Sequence, residues 1–171
     1  MDITVEKLDT DILAGPLVHY RAWLGNRSGS YFSDLLEEQN AGKRQVLLAF
    51  IGADIAGHVT VKWRSEYPQF AARDIPEIND LWVLASFRRN GVATALLDEA
   101  ERIIFERSPL AGIGVGMYSD YGPAQRLYVL RGYVPDGHGL YSHNHPVVPG
   151  REVFVDDDLV LYFTRDRPPV L

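Results

Sequence analysis

The stretch Glu77–Thr94 constrains the fold more than any other part of this 171-residue chain. Its first seven residues alternate in the manner of a β-strand. The alternation places Ile78, Asp80 and Trp82 on one face of that strand. On the opposite face it places Glu77, Asn79, Leu81 and Val83. The two acidic residues of the strand, Glu77 and Asp80, are therefore predicted to point in opposite directions.

A basic turn and a helix follow this strand. The turn Arg88-Arg89-Asn90-Gly91 contains two adjacent arginines and a glycine. From Thr94 onward, apolar residues recur at helical spacing, at Leu96, Ala100, Ile103 and Ile104. A strand, a glycine-bearing turn and a helix in this order present backbone N–H groups and the positive end of a helix dipole to an anion. The pattern predicts a phosphate or pyrophosphate ligand.

Composition excludes several classes of function. With 17 basic and 23 acidic residues the net charge is −6, which argues against broad nucleic-acid binding because that needs a basic surface. The chain has no cysteine, so a disulfide, a thiolate metal site and a cysteine nucleophile are impossible. The first residues do not have the pattern of a secretory signal and no apolar stretch reaches about 18 residues, so we expect a cytoplasmic protein that does not enter a membrane.

The rest of the chain predicts a single α/β domain over residues 1–171. Strands are predicted at Ile3–Leu8, Gln45–Ile51, Ile55–Trp63, Gly112–Tyr118, Tyr133–Tyr141 and Leu159–Thr164. Helices are predicted at Leu17–Leu24 and Leu35–Asn40, from Thr94, and from Gly122 to Arg131. A loop is predicted over Arg64–Pro76, and the order of elements indicates a mixed α/β sheet with helices on its faces.

Two further patterns predict no site. The segment Gly112–Gly116 has glycines at every second position, like part of a dinucleotide loop, but its residues form a strand. His138, His143 and His145 fall in a late loop without an accompanying set of ligands, so no metal site is predicted.

Two motifs lie about 30 residues apart in the chain. Arg88-Arg89-Asn90-Gly91-Val92-Ala93 fits the pattern (Q/R)-x-x-G-x-(G/A) between a strand and a helix, and the segment Ala124–Tyr133 fits A-x-x-L-Y-x-x-x-G-(F/Y). Together they resemble the GNAT superfamily of acetyl-CoA-dependent N-acetyltransferases. The resemblance implies the GNAT fold, with a largely antiparallel central sheet flanked by helices, and acetyl-CoA as cosubstrate.

The resemblance also implies where coenzyme A binds. The amides of Asn90–Thr94 would hold the pyrophosphate, with charge added by Arg88 or Arg89. Leu81–Val83 would pair with the pantetheine arm, and the Val83 amide would polarise the acetyl carbonyl. Many family members have an asparagine where this chain has Tyr121, so Ser119, Asp120 or Tyr121 would replace that contact. The cofactor-binding residues are then Leu81, Trp82, Val83, Arg88, Arg89, Asn90, Gly91, Val92, Ala93, Thr94, Ser119 and Tyr121.

Three residues are candidates for catalysis. Tyr128 matches the family's general acid, which protonates or hydrogen-bonds the departing thiolate. An amine with a pKa near 10 is neutral in only about one molecule in a thousand at pH 7, so a base is needed. Glu77 shares a predicted strand face with Leu81 and Val83, and Asp80 is its rival. A register shift of one residue would reverse that preference, so both carboxylates remain candidates for the base.

Direct attack of a primary amine in a ternary complex is expected, because no cysteine can form an acyl-enzyme. We expect a small-molecule amine to enter between Gly25–Phe32 and Arg64–Pro76. Trp63, Tyr67 or Gly139–His145 would form the walls. A homodimer through the late strands fits the resemblance. Two alternatives are a protein or peptide N-acetyltransferase and a non-catalytic acyl-CoA-binding regulatory module.

Overall fold

Residues 2–20 and 29–169 are described by a computed structural model. Their contacts divide the chain into two units, Met1–Trp63 with Ile78–Glu106 and Arg64–Glu77 with Arg107–Leu171. The described residues form mostly antiparallel strands flanked by helices, which confirms the predicted mixed α/β fold class. None of the described helices has both the length and the apolar character that crossing a membrane requires.

The first unit is built on strands in the order β1-β2-β3-β4. They span Ile3–Lys7 (β1), Arg44–Ile51 (β2), Asp54–Lys62 (β3) and Glu77–Val83 (β4). Of β4, residues Ile78–Val83 belong to this unit and Glu77 belongs to the second unit. β1 pairs antiparallel with β2, and β2 pairs antiparallel with β3. A tight hairpin at Gly52-Ala53 joins β2 and β3, with Gly52 at φ +62°, where a side chain would be strained.

Helices cover both faces of β3. The helices of this unit are Thr10–Ala14 (α1), Leu17–Tyr20 (α2), Tyr31–Asn40 (α3) and Val92–Phe105 (α5). A Cβ added at Gly57 would lie 3.3 Å from Leu96 on α5, so this position of β3 faces α5. Its neighbour His58 points to the opposite side, toward Tyr20 and Phe32. β3 is therefore buried on both faces, and its one imidazole lies beneath α2 and α3.

The second unit has strands in the order β5-β8-β6-β7. They span Leu110–Gly116 (β5), Val134–Ser142 (β6), His145–Pro146 (β7) and Leu159–Asp166 (β8), and the pairs are antiparallel. Two helices accompany them, Pro68–Ala71 (α4) and Gly122–Leu130 (α6). The alternating glycines of β5 make room for rings, since a Cβ at Gly112 would lie 2.3 Å from the Phe70 ring and a Cβ at Gly116 would lie 2.4 Å from the Tyr121 ring. The segment is a strand, as predicted.

Several predicted boundaries are wrong. The sequence did not predict α1, because a five-residue helix is too short to show a helical period. The Asp9 side chain caps this helix by accepting from the Ile12 amide at 2.8 Å. α3 begins at Tyr31 rather than Leu35. The helix predicted over Leu17–Leu24 is α2 as far as Tyr20, and residues 21–28 lie outside the described residues. The predicted loop Arg64–Pro76 contains α4, which starts on Pro68.

Candidate active site

The turn between β4 and α5 exposes an uncapped helix end. Gly91 is the N-cap residue at φ +85°, and as a glycine it has no side chain that could accept from the first amides of α5. The first helical hydrogen bond joins the Ala95 amide to the Gly91 carbonyl at 2.9 Å. The amides of Val92, Ala93 and Thr94 precede it, so they have no acceptor within the helix. With the dipole of a 14-residue helix behind them, these amides suit a bound anion.

The two arginines of the turn are placed differently. Arg88 Nε donates to the Val83 carbonyl at 3.1 Å, and its guanidinium lies 5.8 Å from the centre of the Trp82 ring. Arg88 is thereby held along the end of β4. Arg89 has φ +63° and is exposed. Which of the two adds charge to a bound pyrophosphate stays a prediction.

The alternation predicted for β4 is interrupted at Asp80. This residue has φ +52°, in the left-handed region, which strand residues do not adopt unless the strand is locally distorted. Asp tolerates this conformation better than most residues. A face assignment cannot be carried through such a residue, so the alternation that favoured Glu77 over Asp80 does not rank them.

Asp80 takes part in a buried chain of polar groups. Its Oδ2 accepts a hydrogen bond from the Tyr31 hydroxyl and lies 3.1 Å from His58 Nε2. The other ring nitrogen of His58, Nδ1, lies 2.9 Å from the Tyr20 hydroxyl. The His58 side chain is 0% exposed and that of Asp80 is 16% exposed. The chain therefore runs from the interior to a carboxylate that solvent can reach.

Glu77 has a different environment, in the second unit. It is 5% exposed, and its Oε2 accepts from the Ser65 hydroxyl at 2.5 Å. Ser65 Oγ in turn accepts from the Tyr67 amide at 2.9 Å. Glu77 thus anchors the start of the Arg64–Pro76 segment, which explains a buried carboxylate without assigning it a catalytic task.

Tyr128, the fifth residue of the Ala124–Tyr133 motif, is buried on α6. Gly132, at φ +90°, ends α6 in a left-handed conformation, and the Tyr133 amide donates to the Tyr128 carbonyl at 3.0 Å. Burial raises the pKa of the Tyr128 phenol, so the group stays protonated at neutral pH. The L-Y-x-x-x-G-Y spacing therefore has a structural cause, and it leaves Tyr128 a hydrogen-bond donor.

Ser119 and Tyr121 lie in the 3-10 turn Ser119–Tyr121 before α6. The Tyr121 hydroxyl donates to Asp157 at 2.9 Å, as does the Tyr118 hydroxyl at 2.5 Å. These two bonds lower the pKa of the Asp157 carboxyl. Burial and the bond to Asp157 raise the pKa of Tyr121. The replacement of the family's asparagine by Tyr121 stays a prediction.

The expected acceptor walls are only partly accessible. Tyr67 is completely buried, stacked on Tyr162 with ring centres 3.6 Å apart, and its hydroxyl donates to Asp136 at 2.6 Å. It cannot line an open pocket in this conformation. Residues 139–145 form the end of β6 and the turn into β7. Residues 25–28 of the Gly25–Phe32 segment lie outside the described residues.

The late loop brings three exposed groups together. The ligand atoms of His143, Asp156 and Asp158 lie within 4.8 Å of one another, and His143 Nε2 is 3.2 Å from Asp158 Oδ2. Asp156 already accepts from the Asp158 amide at 3.0 Å, as in a polar turn. No metal site was predicted here, and exposed groups of this kind do not establish one.

Sequence reasoning missed the residues that surround Asp80. His58 stands alone in the apolar run Ile55–Val61, broken otherwise by Gly57 and Thr60. A buried imidazole needs polar partners, and that was the available signal. Its partners Tyr20 and Tyr31 carried no signal, because they are 38 residues from His58 and 49 residues from Asp80 respectively.

Known proteins similar to this chain share one fold. Residues 16–133 match the family model described as the acetyltransferase (GNAT) family. Comparison with curated protein sequences found no match. A solved ribosomal-protein-alanine N-acetyltransferase from Brucella melitensis is 16% identical, with a TM-score of 0.69 and coverage of 96% of this chain and 99% of that chain. An N-acetyltransferase from Staphylococcus aureus Mu50 is 12% identical, with a TM-score of 0.70 and coverage of 97% and 99%. At such identities these structures show the fold alone.

Proposed function

Because the chain belongs to the GNAT acetyltransferase family, we propose that it transfers the acetyl group of acetyl-CoA to a primary amine by direct attack in a ternary complex. The family supports an acyl-CoA-dependent N-acyltransferase activity, with acetyl-CoA as the family's cosubstrate. The observation that carries the proposal is the uncapped start of α5 behind Gly91. It supplies backbone donors where the motif requires an anion to bind.

Coenzyme A binds along β4 and the turn that follows it. The pyrophosphate lies on the amides of Val92, Ala93 and Thr94, and Arg89 is exposed beside them to add charge. The pantetheine arm pairs with Leu81–Val83, and the Val83 amide polarises the thioester carbonyl. Trp82, 42% exposed, offers an apolar surface on the same strand.

The reaction requires two proton transfers. The acceptor ammonium first loses one proton to a base, which leaves a neutral amine that attacks the thioester carbonyl. The new N–C bond forms as the C–S bond breaks, the departing sulfur takes the second amine proton, and the first is released to solvent. We assign the base to Asp80 rather than Glu77, because Asp80 is reached by solvent and Glu77 is buried against Ser65.

Tyr128 acts on the departing sulfur. A thiol has a pKa of about 8.5, and burial holds the pKa of Tyr128 above its usual value of about 10. Full proton transfer from this phenol to a thiolate is therefore unfavourable, whereas donating a hydrogen bond to the sulfur requires no proton transfer. Tyr128 accordingly stabilises the developing negative charge on sulfur as a donor.

The test is turnover of acetyl-CoA against a panel of amines, monitored by release of the free thiol. The panel contains aminoglycosides, polyamines, amino acids and peptides with free N-termini. Turnover with a small amine supports the proposal. Preference for a peptide would indicate protein N-acetylation, the activity named for the Brucella melitensis protein. Binding of acetyl-CoA in calorimetry without turnover of any amine would indicate the non-catalytic module.

The tyrosine has its own measurement. Replacing Tyr128 by Phe should lower kcat by about 10- to 100-fold and leave the Kd for acetyl-CoA within a factor of about two. The matched control is Tyr133→Phe, which alters the neighbouring ring, 6.1 Å away. Unchanged kcat in Tyr128→Phe would remove the assigned role.

A cytoplasmic location and a homodimer remain parts of this proposal.

A further inference from the structure

We propose that His58 is a positioning residue for the proton-accepting carboxylate: neutral His58 holds Asp80 in its working orientation, and protonated His58 turns that carboxylate off as a base. The inference rests on the proposed function and adds to it a residue that neither motif contains. It also assigns a task to Tyr20, which holds the far side of the imidazole.

The surroundings of His58 show why its charge matters. The imidazole is completely buried on β3, and among the described residues titratable groups face it from three other elements: Tyr20 of α2, Tyr31 of α3 and Asp80 of β4. Phe32 packs edge-on against the ring with centres 5.3 Å apart. The adjacent Gly57 faces α5, so α5 covers the opposite side of the strand. A second proton on the His58 ring would therefore lie among aromatic side chains and close to the Asp80 carboxylate.

Hydrogen-bond chemistry assigns the tautomer. An ionised carboxylate can only accept, so Nε2 of His58 carries the hydrogen and donates to Asp80 Oδ2. Nδ1 then has a free lone pair and accepts from the Tyr20 hydroxyl. In this state the imidazole is neutral, both of its nitrogens are satisfied, and Asp80 receives two donors on one oxygen, from His58 and Tyr31.

Protonation of His58 changes both ends of this chain. The new hydrogen on Nδ1 must be donated to the Tyr20 oxygen, so the Tyr20 hydroxyl has to turn away. A full positive charge then lies 3.1 Å from Asp80, where burial limits screening by solvent. That charge stabilises the ionised carboxylate and weakens it as a proton acceptor. Turnover should therefore rise with pH as His58 loses its proton.

The experiment separates hydrogen bonding from charge. His58→Gln keeps an N–H that can donate to Asp80 but cannot become a cation, and His58→Leu has neither property. In the wild type, kcat should rise with pH through a step that reports the loss of the His58 proton. In His58→Gln this step should disappear while kcat at pH 8 stays within about 3-fold of the wild type. In His58→Leu, kcat at pH 8 should be roughly 100-fold below the wild-type value and the step should be absent, with the Kd for acetyl-CoA unchanged.

Two results would overturn the inference: the wild-type pH step retained in His58→Gln, or wild-type kcat retained in His58→Leu. A second measurement does not depend on turnover and needs no substitution at His58. Nitrogen-15 NMR of the ring should show the Nε2–H tautomer for His58, and Asp80→Asn should lower the pH at which this ring titrates. The Nδ1–H tautomer, or a titration unmoved by Asp80→Asn, would contradict the pairing even if no amine were acetylated and the proposed function failed.

Discussion

At the scale of single residues, the distinctive feature of the site is a left-handed aspartate inside a strand. A non-glycine residue at φ +52° is held against its conformational preference, and such positions concentrate at functional sites. Here the surroundings that hold it are visible: Tyr31 and His58 both contact the same carboxylate oxygen. The conformation and the hydrogen bonds together make Asp80 a pre-oriented group.

A pair of substitutions distinguishes the two carboxylates. Asp80→Asn keeps the left-handed conformation that Asn tolerates and removes the base, so kcat should fall by about 100-fold or more with little change in thermal stability. Glu77→Gln retains an acceptor for the Ser65 hydroxyl, and kcat should stay within about 5-fold of the wild type. Steady-state kinetics with a thiol-release assay measures both. The reverse order of losses would return the base to Glu77.

At the scale of elements, the start of α5 determines where an anion can bind. Many helices have an N-cap residue whose side chain accepts from the first amides, but the N-cap residue of α5 is a glycine, which has no side chain. A Cβ at Gly91 would meet nothing closer than Ile3 Cδ1 at 3.8 Å. The glycine is therefore needed for its backbone conformation and not because the position is crowded.

Substitution at Gly91 tests this element. Gly91→Asp places a negative charge beside the bound pyrophosphate, whereas Gly91→Asn imposes a similar left-handed strain without the charge. Calorimetry with acetyl-CoA should show at least about 10-fold weaker binding in Gly91→Asp than in Gly91→Asn, a difference of about 1.4 kcal/mol. Equal affinities in the two variants would show that the turn does not hold the pyrophosphate.

At the scale of the whole molecule, buried tyrosines link stability to alkaline pH. Burial raises the pKa values of Tyr128 and Tyr162, and burial together with Asp136 raises that of Tyr67. The unfolded chain loses these protons near pH 10, whereas the native chain keeps them. The stabilisation is therefore complete below about pH 10 and is lost as the pH rises above that value.

Urea unfolding between pH 8.5 and 11 measures this linkage. The free energy of unfolding should fall above pH 10, by up to about 1.4 kcal/mol per pH unit for each retained proton. Tyr128→Phe removes one such proton, so its profile should be shallower than that of the wild type by up to that amount. A flat profile for the wild type, or identical slopes in the two proteins, would contradict the assignment.

Local signals in the sequence are enough to predict the strand–turn–helix at Glu77–Thr94 and the helix that ends before Gly132, and to identify the family. Each depends on neighbours a few residues apart: a two-residue alternation, a 3.6-residue period, or a glycine where a side chain would be strained. For the same reason β5 is correctly predicted despite its glycines, while the five-residue α1 is missed.

The partners of Asp80 are decided only by the tertiary structure. His58 and Tyr31 reach this carboxylate, and Tyr20 reaches His58, from separate elements across separations of 22 to 49 residues between bonded partners. Nothing local marks such pairs, because the need of a buried imidazole for partners does not specify which residues supply them. The left-handed turn at Asp80 likewise depends on packing, and it cancels the alternation from which the sequence ranked Glu77 first.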